Sequence, residues 1–278
     1  MQSRAKAQAP RPAAAATQVL SRGAWAIFRY LRTMIPVLLL WQFVAMALPN
    51  PVLLPTPVDV ATALERMASN GEILGYATVS LKRLALGYML AVAVGVPLGL
   101  VIGLSRTAGR LVDPVIELVR PISGIAWIPL ALMLFGIGDT LAVFILFYGA
   151  LFAIVLNTAA GTSEIDRHLV DAGRTYGVGR LTLLHQVILP NALPSILVGA
   201  RIGMGLAWMS LIAAELIGAP NGLGFAVEYY RELLMTPKMV AVIVTLGALG
   251  YISDRLLRYL RDFMTPWVAG SKVGATAE

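Results

Sequence analysis

No cysteine occurs anywhere in the 278 residues. Disulfides, thiol nucleophiles and cysteine-ligated clusters are therefore excluded. Histidine is nearly as scarce: His168 and His185 stand alone and cannot build a metal site by themselves. Lysine occurs only as Lys6, Lys82, Lys238 and Lys272, and none of them completes a Gly-x4-Gly-Lys-Ser/Thr loop. The chain thus lacks that means of cradling nucleotide phosphates. Charge itself is thin, at 13% of residues where a soluble domain carries about 25%.

What fills the gap is apolar length. Hydrophobic residues make up 58% of the chain, too many for its polar residues to cover a soluble fold. A helix needs about 20 apolar residues to cross the hydrocarbon layer. Stretches free of Asp, Glu, Lys and Arg occupy 33–58, 84–105, 121–138, 140–163 and 181–200, with Asp139 alone between the third and fourth. The fifth pattern continues past Arg201 to Ala214. A last run, Met239 to Ser253, is short unless Lys238 and Arg255 extend to the two interfaces. The expectation is an all-α, polytopic membrane protein with about six transmembrane helices, at roughly 33–49, 84–104, 115–136, 140–160, 191–217 and 238–254. The fifth is placed near Asn191 because Pro190 and Pro194 suit a helix start, where a missing N–H costs nothing.

Orientation follows from Lys and Arg. Arg4, Lys6, Arg11, Arg22, Arg29 and Arg32 precede the first span. Arg106 and Arg110, then Arg167, Arg174 and Arg180, then Arg255, Arg258, Arg261 and Lys272 fall in the segments on the same side. The opposite loops hold only Arg66 and Arg231. This positive-inside bias predicts both termini in the cytoplasm. It also accounts for the net charge of +7 without a nucleic-acid partner. Residues 1–32, rich in Ala, Pro and Arg, are expected to be a disordered cytoplasmic tail. Residues 33–267 form the membrane domain, and 268–278 form a second cytoplasmic tail.

The segment richest in information is the cytoplasmic loop before the fifth span. It reads Asp171-Ala172-Gly173, three residues, Gly177, nine residues, then Val187-Ile188-Leu189-Pro190. Asp166 or Ser163 suits the start of a short helix there, and Gly177 suits its left-handed end. Small Ala172 and Gly173 suit a helix lying flat on a partner. Val178 to Ile188 reads as a second amphipathic piece, broken by Pro190.

This loop resembles the signature loop of ABC importer permeases, Glu-Ala-Ala, three residues, Gly, nine residues, Ile-x-Leu-Pro. Asp171, Gly173 and Val187 are the departures. The resemblance extends over nearly everything after residue 50. It includes Leu54-Pro55-Thr56-Pro57, Arg120-Pro121-Ile122, Trp127-Ile128-Pro129-Leu130, Phe135-Gly136-Ile137-Gly138, Leu193-Pro194-Ser195-Ile196, Gly199-Ala200-Arg201-Ile202-Gly203, Ala213-Ala214-Glu215 and Gly222-Leu223-Gly224-Phe225. Together these look like the sulfonate, taurine and nitrate permeases. The resemblance implies the type I importer permease (MetI-like) fold. It also implies a second permease copy, expected as a homodimer, two ATPase subunits, and a periplasmic substrate-binding protein. This chain would bind no cofactor; ATP and Mg would sit on the ATPase. The ATPase-coupling residues would be Asp171, Ala172, Gly173, Gly177, Leu189 and Pro190. The substrate would be a small anion, passed inward by alternating access, in the bacterial inner membrane.

Other features are read from the residues alone. Gly95, Gly99 and Gly103 repeat every fourth residue, which lets helices pack closely, as do Gly199 and Gly203. Glu215, Trp208 and Ser210 are candidates for the translocation path, with pairing to Arg231 the plainer explanation for Glu215. Glu228, Tyr229 and Arg231 are candidates for contact with a binding protein, or for an aromatic interfacial belt. Glu117 and Arg120 are spaced to pair along a helix. An ion-gradient-driven transporter is the alternative class. It is disfavoured by the lack of internal repeats and of mid-membrane acids. A membrane enzyme is disfavoured by the lack of a His cluster, a Cys nucleophile or paired carboxylates.

Overall fold

A computed structural model describes residue 32 and residues 34–48 and 53–267. The expected tails, apart from residue 32, lie outside the described residues. All regular elements among the described residues are helical. Helix α1 spans Met34–Ala47, and α2 spans Pro57–Ser69. Thr56 and Asp59 hydrogen-bond reciprocally at the start of α2, Thr56 Oγ1 donating to Asp59 Oδ2 at 2.7 Å. Then follow α3 (Glu72–Leu104), α4 (Arg106–Val119), a 3₁₀ turn (Gly124–Trp127) and α5 (Ile128–Phe135). The chain continues through α6 (Asp139–Ser163), α7 (Arg167–Thr175), α8 (Arg180–Gly218), α9 (Leu223–Glu232) and α10 (Thr236–Met264).

Four helices, α3, α6, α8 and α10, are long and apolar enough to cross a membrane. The bent pair Arg106–Val119 and Gly124–Phe135 makes a fifth, and Met34–Ala47 is a shorter apolar helix. Their surfaces explain where they live. Leu86, Met89 and Leu90 on α3, Met133 on α5 and Ile243, Val244 and Ile252 on α10 are all exposed. A continuous apolar surface of this extent is unstable in water and ordinary in lipid.

Several expected bounds are corrected. The helix expected at 84–104 begins at Glu72, because Arg83 finds buried partners and does not mark an aqueous boundary. The span expected as one helix over 115–136 starts at Arg106 and bends by 80° at Arg120–Ser123. Arg120 is still helical, at φ −54° and ψ −40°; Pro121, the next residue, has no N–H with which to continue the helical bonds. The fifth does not start at Asn191, and Pro190 does not break the chain before it. Helix α8 runs unbroken from Arg180 through Pro190 and Pro194. A π turn over Leu184–Ile188 absorbs the mismatch, with Leu189 N–H bonding back to Leu184 O. Asn191 Nδ2 caps the Val187 carbonyl at 2.7 Å. The last helix is longer than 238–254, and Lys238 does not reach for the interface but pairs with Glu72 on α3 at 3.3 Å.

Helix α6 is the centre, packed along α3 on one side and α8 on the other. The glycine repeats do what their spacing predicts, within one subunit. A Cβ on Gly99 would sit 2.6 Å from Val155 O, and one on Gly103 would sit 2.6 Å from Ala159 O. On the other face, a Cβ on Gly199 would sit 2.6 Å from Asn157 Cβ. Ile102, Ile116 and Val155 form a core where α3, α4 and α6 meet. Arg201 on α8 pairs with Asp254 on α10 at 2.5 Å, and Arg258 joins them at 2.6 Å.

Candidate coupling loop and translocation groove

The loop expected to meet a partner is a short, well-finished helix. Asp166 caps α7, accepting from His168 N–H at 2.9 Å. At the other end, Gly177 N–H bonds to Arg174 O and Val178 N–H bonds to Gly173 O, both at 3.0 Å. This is a Schellman cap with Gly177 at φ +74°. A side chain there would be strained, as the sequence anticipates. Asp171 and Ala172 are exposed, and Asp171 sits 3.7 Å from Arg174 on the open surface. Gly173 serves a different end from the one its size suggests. A Cβ there would lie 2.6 Å from Leu183 Cδ1, so the close approach is to the start of α8 in the same chain. Leu189 and Pro190 are half-buried, on the far side of the π turn from α7. A cavity of about 1540 Å³ opens beside this loop, with Arg106, Arg110, Arg174 and Arg180 around it, and Asp113 and Asp171 between them.

At the opposite ends of the long helices lies a knot of buried charge that the sequence reading missed. Arg83 on α3 is 2% exposed and its Nη1 donates to Glu215 Oε1 at 2.8 Å. Its Nε donates to Asp139 at 2.7 Å, Nη1 also reaches Asn221 O at 2.6 Å, and Nη2 donates to the Asn221 side chain. Glu215 is filled from its other sides. Ser80 Oγ donates to it at 2.8 Å and Gly224 N–H at 2.8 Å, while Ser80 accepts from Leu223 N–H. Gly222, at φ +115°, lies where a Cβ would strike the Glu215 carboxylate. Glu215 is therefore not paired with Arg231 and does not face an open path. It fastens α8 to α3 and to the start of α9, while Arg83 reaches α6 through Asp139.

The candidate path residues separate. Ser210 lines a groove of about 670 Å³ between α6 and α8. Trp208, two residues away and so on the other side of the helix, is buried, with an indole N–H that has no hydrogen-bond partner among the described residues. The groove is completed by Tyr148 and Asn157 on α6, Met209 on α8, and Arg120 and Ser123 from the break between α4 and α5. Tyr148 makes that break tenable. Its single O–H lies 2.9 Å from Val119 O, which also accepts Ile122 N–H, and 3.0 Å from Ile122 O, tying the break to α6. Arg120 does not pair with Glu117; no carboxylate oxygen lies within 4.0 Å of it among the described residues.

On α9, Leu223, Gly224, Ala226 and Tyr230 are buried. Tyr229 and Arg231 face outward, Tyr229 stacking on Phe225 at 5.8 Å. Glu228 accepts from Arg231 Nε at 2.9 Å, and this bond holds its carboxyl below the usual carboxylate range.

Membrane-length helices, a groove between two of them and a capped surface helix on the link between those two are the architecture of a polytopic membrane protein. Residues 95–265 match the family described as binding-protein-dependent transport system inner membrane component. A putative ABC transporter permease of Methanocaldococcus jannaschii is 37% identical over 233 residues, 82% of this chain and 87% of that protein. The taurine transport system permease TauC of Escherichia coli is 37% identical, over 82% of this chain and 84% of its own length. The nitrate import permease NrtB of Synechococcus elongatus is 30% identical, over 84% and 88%. A chain of the MetNI methionine ABC transporter, in an inward-facing conformation, shares the fold with a TM-score of 0.60 at 22% identity, covering 69% of this chain and 95% of that one. The chain belongs to the binding-protein-dependent transport system inner membrane component family, as a permease.

Proposed function

We propose that this permease imports a small organic or inorganic anion of the sulfonate, taurine or nitrate class, driven by ATP hydrolysis in separate ATPase subunits. The names of its relatives TauC and NrtB support the substrate class. In this reading two copies of the chain enclose the pathway, and an ATPase docks on each α7. A periplasmic binding protein delivers the anion near α9, at Glu228, Tyr229 and Arg231. Both termini lie in the cytoplasm. ATP and Mg bind the ATPase, not this chain. The observation that carries the reading is α7 itself, an exposed helix fixed at both ends and joined to α8 by the short link 176–179. A push on α7 reaches a helix that lines the groove.

Alternating access follows from this linkage. ATP draws the ATPases together, α7 moves with them, and α8 shifts against α6. The groove opens to the binding protein, and hydrolysis returns it to the inside. Gly177→Val places a β-branched residue at φ +74° and distorts the α7 cap. Membrane insertion is expected to survive, and ATP-driven uptake in proteoliposomes is expected to fall at least tenfold. Uptake at the normal rate contradicts the coupling role of the loop.

A further inference from the structure

Arg120 occupies an unusual place. It lies about 21 Å along α4 from Arg106, at 1.5 Å per residue, where the bent span turns by 80°. Among the described residues it is the one charged residue lining the groove between α6 and α8, and no carboxylate lines it. Other arginines set into the long helices are neutralised by acids: Arg83 by Glu215 and Asp139, and Arg201 by Asp254. Arg120 has no such partner among the described residues. The carboxyl end of α4 favours a cation by only about 0.3–1 kcal/mol, less than the cost of about 2.5 kcal/mol or more for a bare guanidinium in lipid. Arg120 is exposed on the groove side, and water or an anion in the groove is what would stabilise its charge there.

The rest of the lining suits an anion with a polar head and a short apolar tail. Ser123 and Ser210 offer hydroxyl groups and Asn157 an amide, one N–H of which goes to Ala153 O, while Ile125 and Met209 offer apolar surface. Because Tyr148 ties the carbonyls of Val119 and Ile122 to α6, the broken span and Arg120 are fixed against the groove wall. We infer that Arg120, with the polar groups around it, forms an anion-binding step inside the permease. The permease thereby selects for charge itself, in addition to any selection by a binding protein. The inference rests on the proposed path through this groove.

The natural absence of cysteine makes the test direct. Ile125→Cys and Met209→Cys each place a thiol on the groove wall at an exposed apolar side chain. The assembled transporter in nanodiscs, with and without ATP, is treated with sulfonatoethyl methanethiosulfonate, an anion, or its trimethylammonium counterpart, a cation. Modification is read as mass added to this chain. The anion is expected to react faster. Arg120→Gln is expected to lower the anion-to-cation rate ratio about tenfold, the low end for a charged cleft. Arg120→Lys is expected to retain most of it, and ethanesulfonate should protect the thiols only when position 120 is basic. A ratio unchanged by Arg120→Gln overturns the inference and leaves the path intact. If neither thiol reacts in either state, even with neutral methyl methanethiosulfonate, the groove is dry, and both the inference and the path fail.

Discussion

Arg83 brings a full charge into a site where it is 2% exposed, and it is stable there because its guanidinium nitrogens all have acceptors. Burying an ion pair is close to neutral against an apolar replacement, but removing one member leaves the other stranded. Arg83→Met is therefore expected to destabilise the protein by about 3–5 kcal/mol, read as a lower melting temperature in detergent. Adding Glu215→Leu to that variant should recover much of the loss, because the stranded carboxylate is gone. Asp139→Asn should cost under about 1 kcal/mol, since Asp139 is 75% exposed and its pairing is screened. If the double variant melts no higher than Arg83→Met alone, the charge balance is not what holds these helices. Part of this knot was readable in advance. The predicted topology puts Arg83, Asp139 and Glu215 at span ends on one side of the membrane. Their pairing was not readable, because it depends on how each helix is rotated, and charges at span ends look like solvent boundaries.

At the scale of elements, the two irregular helices matter most. In the bent span one hydroxyl, from Tyr148, reaches two carbonyls: Val119 O, which also accepts Ile122 N–H at 3.1 Å, and Ile122 O. Tyr148→Phe leaves both without that donor, at an expected cost of about 0.5–1.5 kcal/mol, since the carbonyls are not fully buried. Amide hydrogen exchange over residues 119–125 should accelerate while exchange in α3 stays as it was. Unchanged exchange there would mean the break is held by packing alone. Helix α8 shows the other side of proline chemistry. Pro190 lacks an N–H, which by itself predicts a helix break. The helix nevertheless continues: the π turn just before Pro190 shifts the bonding register, with Leu189 N–H on Leu184 O, and Asn191 Nδ2 adds a bond to Val187 O. A local rule about proline fails where one widened turn supplies an alternative. The glycine repeats were readable because they need no such knowledge. Spacing alone puts Gly95, Gly99 and Gly103 on one stripe, and α6 fills it.

At the scale of the molecule, the apolar runs were sufficient for the fold class, since lipid leaves few structures other than helices. The signature loop was sufficient for the family, and residues 95–265 bear that out. The groove was less legible: Ser210 lines it while Trp208 and Glu215 are buried away from it, because a hydropathy run does not say which helix face is covered. The central claim is that an ATPase grips α7. Ala172 is exposed and this chain has no cysteine, so Ala172→Cys can be cross-linked from a single known point. The measurement is a short bifunctional cross-link in inside-out membrane vesicles containing the assembled transporter. The account predicts a covalent adduct between this chain and the ATPase, whose yield changes when ATP is added. Labelling of Ala172→Cys only from the periplasmic side, or no adduct in any nucleotide state, would contradict it.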